Sequence, residues 1–217
     1  PGVALNDDIL TAKNNNFLCA VHFGRNKLGV SFLDISTGEY LCSEGSVEQV
    51  DKLLQNFSPN EVLVSKNHKK DFVECFGKHF HSFFLEDWIF QEDYAEERLN
   101  QHFGTKTLKG FGVDHLNHGI IASGAVLHYL SETQHSRLQH INSIQRIAEE
   151  EYVWMDRFTI RNLELYHSSH QNAVTLLDII DKTLSPMGGR LLKRWLALPL
   201  KNVEKIQQRH QVVAHLK

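Results

Sequence analysis

At 217 residues the chain has room for one large domain or two modest ones with sizeable cores, and 41% hydrophobic with 23% charged residues is the balance of an ordinary soluble globular protein. No run approaches the ~20 apolar residues of a membrane-spanning helix; the longest candidate, residues 119–130, is too short, contains His128, and reads as a buried helix. The net charge of −3 is uneven: residues 1–135 hold 11 Lys+Arg against 18 Asp+Glu, a balance of −7, while residues 136–217 hold 12 against 8, a balance of +4. An acidic first half repels the phosphates of nucleic acid and suits a protein partner better.

The chain opens PGVALNDD, with neither an initiator Met nor a basic leader, as expected of a piece of a longer protein. Residues 17–23 (FLCAVHF) predict a strand, 24–27 a turn, 28–35 a second strand, and Thr37-Gly38 a turn into a third strand over 39–43. Ser46 is the expected cap of a helix whose inner side carries Val47, Val50, Leu53, Leu54 and Phe57, and Ser58-Pro59-Asn60 ends it. A short apolar strand over 61–65, a helix over 71–76 and a fifth strand over 80–85 follow. Asp87 is expected to begin an amphipathic helix to about His102, with Phe90, Tyr94, Leu99 and Phe103 inward and Glu92, Asp93, Glu96 and Glu97 outward. Residues 105–112 form a loop without the GxxxxGK[ST] spacing of a phosphate cradle. Asp114 is the expected cap of a helix over 116–132.

The order β-β-β-α-β-α-β resembles ribonuclease-H-like folds, an antiparallel meander joined to parallel strands by helical crossovers. That resemblance raises a metal-dependent nuclease as an alternative function, because such enzymes clamp two cations with carboxylates, one of them on the first strand. Here the first strand contains no acid, and Asp34 and Glu39 read as residues of a turn between strands. Cys19, Cys42 and Cys75 have no CxxC spacing and favour a reducing compartment over a disulfide framework or a zinc site. Fourteen histidines invite a metal reading, but the closest pairs, His79/His81, His115/His118 and His167/His170, lack companion ligands; no metal, catalytic or cofactor-binding residue is predicted.

Residues 133–151 turn polar where the charge changes sign, so the predicted division is 1–134 and 135–217. Residues 152–155 are strand-like, Asp156 caps a helix over 157–165, and 166–174 is a loop. Thr175 caps a helix with apolar positions Leu176, Leu177, Ile179, Ile180 and Leu184. Ser185-Pro186 suits the N-cap and first position of a second helix, whose stripe is Met187, Leu191, Trp195 and Leu198 and whose basic side is Arg190, Lys193 and Arg194. Gly188 and Gly189 each cost about 1 kcal/mol relative to Ala in a helix, which points to close backbone approach at this corner. The basic side is a solvated face or, as a competing reading, a phosphate-contact surface together with Lys201. Asn202 caps a final helix carrying Val203, Ile206, Val212, Val213 and Leu216.

Three long stretches, GFGVDHLNHGIIASGAVLHYLSETQ (110–134), MDRFTIRNLEL (155–165) and TLLDIIDKTLSPMGGRLLKRWLALPL (175–200), resemble the MutS family of bacterial mismatch-repair proteins. The resemblance covers essentially the whole chain. It implies a mixed-sheet, ribonuclease-H-like connector domain without nuclease activity, followed by the beginning of a mainly helical core or lever domain. It implies a cytoplasmic protein that, when intact, is a homodimer, binds mismatched double-stranded DNA, hydrolyses ATP with Mg, and recruits a MutL-like partner through the connector. The family's Phe-x-Glu mismatch reader does not occur before the connector here, and no GxxxxGK[ST] loop occurs in the 217 residues. The resemblance therefore implies a noncatalytic middle fragment, with no membrane role, and the residues singled out are the corner Ser185, Pro186, Gly188, Gly189 and Trp195.

Overall fold

The computed structural model describes residues 15–133, 138–148, 151–166, 168, 170 and 173–216. By packing, the chain forms two compact units, one running from Asn15 to Ile147 and the other from Ala148 onward.

The first unit is built on a six-stranded mixed sheet, in the order β5-β4-β1-β2-β3-β6. Strands β1 (Phe17–Phe23), β2 (Leu28–Asp34) and β3 (Glu39–Gly45) form the expected antiparallel meander, with Phe17 opposite Asp34 and Asp34 opposite Glu39. Helix α1 (Val47–Phe57) carries the chain to β4 (Glu61–Ser65), which pairs parallel with β1, and α2 (Lys69–Phe76) leads to β5 (Ser82–Leu85), parallel with β4. The expected order is therefore present, with a sixth strand added: β6 (Gln145–Arg146) pairs parallel with β3, inside the polar stretch read from sequence as a junction. The Ile147 N–H donates to the Cys42 carbonyl at 2.9 Å, and Ile141, Ile144 and Ile147 are buried behind it.

Both faces of this sheet are covered, which is why β1 and β2 are buried almost throughout rather than alternating between core and water. Leu18, Ala20, Leu33, Ile35, Tyr40 and Cys42 face a core shared with α3 (Glu92–Phe103) and α4 (Asn117–Glu132). On the other face Phe17 packs edge-on to Phe57 of α1, with ring centroids 5.3 Å apart, and Phe23 meets Phe76 of α2. Helix α4 is apolar nearly all round and correspondingly buried. It lies against α3 closely enough that a β-carbon on Gly124 would stand 2.4 Å from that of Ala95.

Several local expectations are corrected. The segment from Asp87 is not one helix: residues Asp87–Phe90 form a 3-10 turn, Gln91 is extended, and α3 starts at Glu92. Asp114 does not cap α4; its N-cap is Leu116, which makes no side-chain cap bond, and Glu44 of β3 accepts the His118 N–H at 3.2 Å instead. Val47 is exposed, so the inner face of α1 is Val50, Leu53 and Leu54.

The second unit is helical. Asp156 caps α5 (Arg157–Asn162) by accepting the Thr159 N–H at 2.7 Å. Thr175 caps α6 (Leu176–Ile180), which ends at Asp181, short of the expected Leu184, because Asp181 bonds to the Thr183 N–H and hydroxyl and holds the chain out of the helix. Leu184 is fully exposed rather than packed. Ser185 caps α7 (Pro186–Ala197), and the Asn202 Oδ1 accepts the Lys205 N–H at 2.9 Å at the start of α8 (Val203–Leu216). The strand-like residues 152–155 contribute an antiparallel bridge, Tyr152 to Leu200, with the Val153 N–H donating to the Pro199 carbonyl at 2.7 Å.

Candidate functional site

In the second unit the corner between α6 and α7 is held by side-chain caps. Thr175 and Asp178 form a reciprocal capping box, the Thr175 N–H donating to Asp178 Oδ2 at 2.9 Å, and these bonds hold the Asp178 carboxyl below its ordinary pKa. Ser185 Oγ accepts the Gly188 N–H at 3.1 Å, Pro186 fills the first helical position, and Gly189 is buried with its N–H bonded to the Ser185 carbonyl. A β-carbon on Gly188 would lie 3.2 Å from Ser185 Oγ and 3.3 Å from Thr183 Cβ, so its neighbours are side chains.

Along α7, Met187, Leu191 and Trp195 are exposed, and Leu198 beyond its end is buried. The Arg209 guanidinium lies 4.2 Å over the Trp195 ring. Arg190, Lys193 and Arg194 are half-buried and each is engaged by a neighbouring group; Lys193 also lies in the field of Asp178.

In the first unit the carboxylates that could have served catalysis are occupied structurally. Asp34 Oδ1 accepts the Ser36 N–H at 2.9 Å and its hydroxyl at 2.6 Å, while Oδ2 accepts from Asn15 at 2.8 Å, so this acid shapes the β2–β3 turn. Glu61 accepts the Tyr129 hydroxyl at 2.8 Å. Among the described residues no group of three His, Cys, Asp or Glu side chains is placed to hold a metal ion; His167, of the pair His167/His170, lies outside them. Burial raises the thiols of Cys19 and Cys42, the latter to about 12, so neither is a nucleophile.

Two features escaped the sequence reading. The first is an open recess of about 620 Å³ between the β1–β2 hairpin and the start of α4, lined by His22, Arg25, Lys27, Glu44 and His118 among others. The His22 and His118 rings are 5.3 Å apart, and burial, with the fields of His118 and His68, lowers the His22 pKa to about 4. The His22 imidazole is neutral near pH 7, and Lys27 and Glu44, which also line the recess, form an ion pair with each other at 3.3 Å.

The second is an aromatic surface. Trp88, in the 3-10 turn, is 51% exposed and stands edge-on to Tyr94 of α3 at 5.0 Å and to His128 of α4 at 5.3 Å. The Tyr94 hydroxyl and His128 Nδ1 are bonded at 2.7 Å, which fixes both rings beneath the indole. Phe83 of the edge strand β5 is 46% exposed and meets Tyr129 at 5.3 Å. Glu97 and Glu132, both exposed, act electrostatically on Tyr94, and Glu132 also on His128; Arg98 is tied to Ser131 Oγ at 2.9 Å. The sequence signal was present in Asp87–Phe90, DWIF, whose aromatics fit no single helical face.

Comparison with known proteins places these units. The model of MutS domain II matches residues 16–142, and that of MutS domain III matches residues 158–217. The chain is 73% identical over 216 residues to the DNA mismatch repair protein MutS of Christiangramia forsetii, covering all of this chain and 25% of that protein. It is 68% identical over 217 residues to the MutS of Flavobacterium psychrophilum, again 100% of this chain and 25% of the relative. The MutS of Parabacteroides distasonis is 55% identical over 213 residues, 98% of this chain and 24% of that protein. The chain thus spans about a quarter of the length of the curated relatives it matches.

Proposed function

Because this chain belongs to the MutS family of DNA mismatch repair proteins and corresponds to its domains II and III, we propose that it is a noncatalytic connector and lever unit. In this reading the intact protein binds mismatched double-stranded DNA, hydrolyses ATP with Mg, works as a homodimer in the cytoplasm, and recruits a MutL-like protein. The first unit links mismatch reading to the ATPase and offers the MutL-docking surface. The second begins the lever, with Ser185, Pro186, Gly188, Gly189 and Trp195 forming the stiff corner through which displacement passes.

The observation that carries this reading is the acidic first unit: residues 15–147 hold 12 Lys+Arg against 16 Asp+Glu, a balance of −4, on a sheet whose first strand offers no carboxylate for metal chemistry. Such a surface repels phosphates and steers a basic protein. It favours docking over the nuclease alternative, and the engagement of Arg190, Lys193 and Arg194 weighs against a phosphate surface on α7.

The purified 217-residue chain tests this directly. It should bind the MutL-like protein of the same organism with an affinity that falls as salt rises, without turning over ATP or preferring a mismatched duplex. Mg-dependent cleavage of DNA that disappears in Asp34→Asn, or mismatch-selective binding at physiological salt, would overturn the proposal.

A further inference from the structure

The recess between the β1–β2 hairpin and the start of α4 lies where the fold itself favours a ligand. From β1 the chain builds the sheet one way, into β2 and β3, and then the other way, into β4 and β5. In open α/β sheets the crevice beyond the carboxyl end of such a strand is where ligands bind. His22 and Phe23, the last residues of β1, line this one, and Glu44 reaches it from the same end of β3. Its volume, about 620 Å³, is within the range of small-molecule sites.

The lining selects the chemistry of the guest. Seven of its ten residues carry N–H donors, and Glu44 is the one acid. That carboxylate is already engaged, one oxygen with Lys27 at 3.3 Å and the other with the His118 N–H at 3.2 Å. Arg25, exposed at the hairpin tip, has no hydrogen-bond or ion-pair partner among the described residues. At the back, Nδ1 of His22 and Nδ1 of His118 are shut from water and equally unpartnered. A buried nitrogen left unpaired carries its full desolvation cost, so an oxygen placed beside it recovers part of that cost.

A pocket rich in donors and poor in acceptors suits a ligand made of acceptors. A cation would meet Arg25 and Lys27 as repulsion, and the described residues place no group of three side chains to hold a metal ion. A carboxylate offers two oxygens, whereas a phosphate has enough to pair with a guanidinium through two of them and leave others for neighbouring donors. The acidity of the unit as a whole does not bar it, because exposed charges more than about 10 Å away are largely screened at ordinary ionic strength.

We propose that this recess binds a phosphate group, held by Arg25 at the rim with donors from His118, Asn26 and Asn117 around it. The site is separate from the docking role of the first unit. Its phosphate is a free one or that of a nucleic-acid backbone, and one titration distinguishes them.

The test follows the ring nitrogens of His22 and His118 by NMR in the 217-residue chain, titrated with inorganic phosphate and, separately, with sodium chloride of equal ionic strength. Phosphate should move both signals along one saturating curve that chloride does not reproduce. Arg25→Ala should weaken binding at least fivefold. Glu44→Gln, which removes the one acid and releases Lys27, should tighten it at least twofold, an effect that loss of structure cannot mimic. Melting curves establish that both variants fold as the parent does. A DNA duplex that moves the same signals and is displaced by phosphate assigns the site to the nucleic-acid backbone; a duplex that leaves them in place assigns it to free phosphate. Signals that respond no more to phosphate than to chloride would overturn the proposal, and so would parent-like affinity in Arg25→Ala.

Discussion

Gly29, near the start of β2, lies so close to His118 that a β-carbon at position 29 would stand 1.9 Å from the His118 carbonyl oxygen. The obstacle is backbone at the first turn of α4, which cannot rotate aside as a side chain could. Gly29→Ala should therefore cost about 3 kcal/mol or more, at the upper end of overpacking effects, and appear as a large fall in melting temperature. Gly188→Ala makes the contrast: its neighbours are the side chains of Thr183 and Ser185, and a helix gains about 1 kcal/mol from Ala over Gly. It should change stability by less than about 1 kcal/mol either way. A severe loss at Gly188 would show that the corner tolerates no side chain.

Stability should depend on His22 in acid. The unfolded imidazole titrates near 6.5 and the folded one near 4. Between those values the unfolded chain binds a proton that the folded chain refuses, so stability falls as pH drops from 6.5 to 4 and levels off below. The expected loss is roughly 3 kcal/mol. His22→Phe should remove that component, so denaturant curves of parent and variant at pH 7.5 and pH 4.5 should diverge only at the lower pH.

Each N-cap of the second unit should act locally. Ser185→Ala removes the acceptor for the Gly188 N–H, and Thr175→Ala breaks a capping box; each should cost about 1 kcal/mol, with Gly substitutions recovering most of it. Hydrogen exchange should quicken in the first turn of the affected helix while the sheet of the first unit stays protected.

Thiol labelling should distinguish the three cysteines. Cys75 is exposed on α2, whereas Cys19 and Cys42 are buried in β1 and β3. One thiol per chain should react under native conditions and three after unfolding. The native reaction should be slower than that of a free thiol, because partial burial and then the charges of Asp71 and Glu74 raise the Cys75 pKa.

What the sequence made legible was whatever local pattern alone decides. The β1–β2–β3 meander, the two parallel strands and the caps at Ser46, Asp156, Thr175, Ser185 and Asn202 were readable because alternation, turn residues and capping side chains sit within a few positions of what they control. The misses are long-range. Glu44 substitutes for a cap on α4 from a strand 74 residues away, and β6 is two exposed polar residues whose pairing depends on the partner β3. Leu184 continued a helical period that Asp181 and Thr183 interrupt by bonding to each other. In the candidate site, the caps of the corner could be read directly, but the Trp88 surface could not. It is assembled from a 3-10 turn and two helices, and the exposure of an indole is a property of packing.

The brief pairing of Gln145 and Arg146 with Leu41 and Cys42 has a practical meaning for anyone dissecting this protein. It covers part of an otherwise open margin of the sheet, and the buried Ile141, Ile144 and Ile147 fasten it there. A fragment ending at residue 134 would unmask hydrogen-bonding groups on β3 and leave the sockets of three isoleucines empty, which is a template for strand-to-strand aggregation. One carried through Ile147 keeps that margin shielded. The stretch that looks most like a linker is thus the first unit's own protection against self-adhesion.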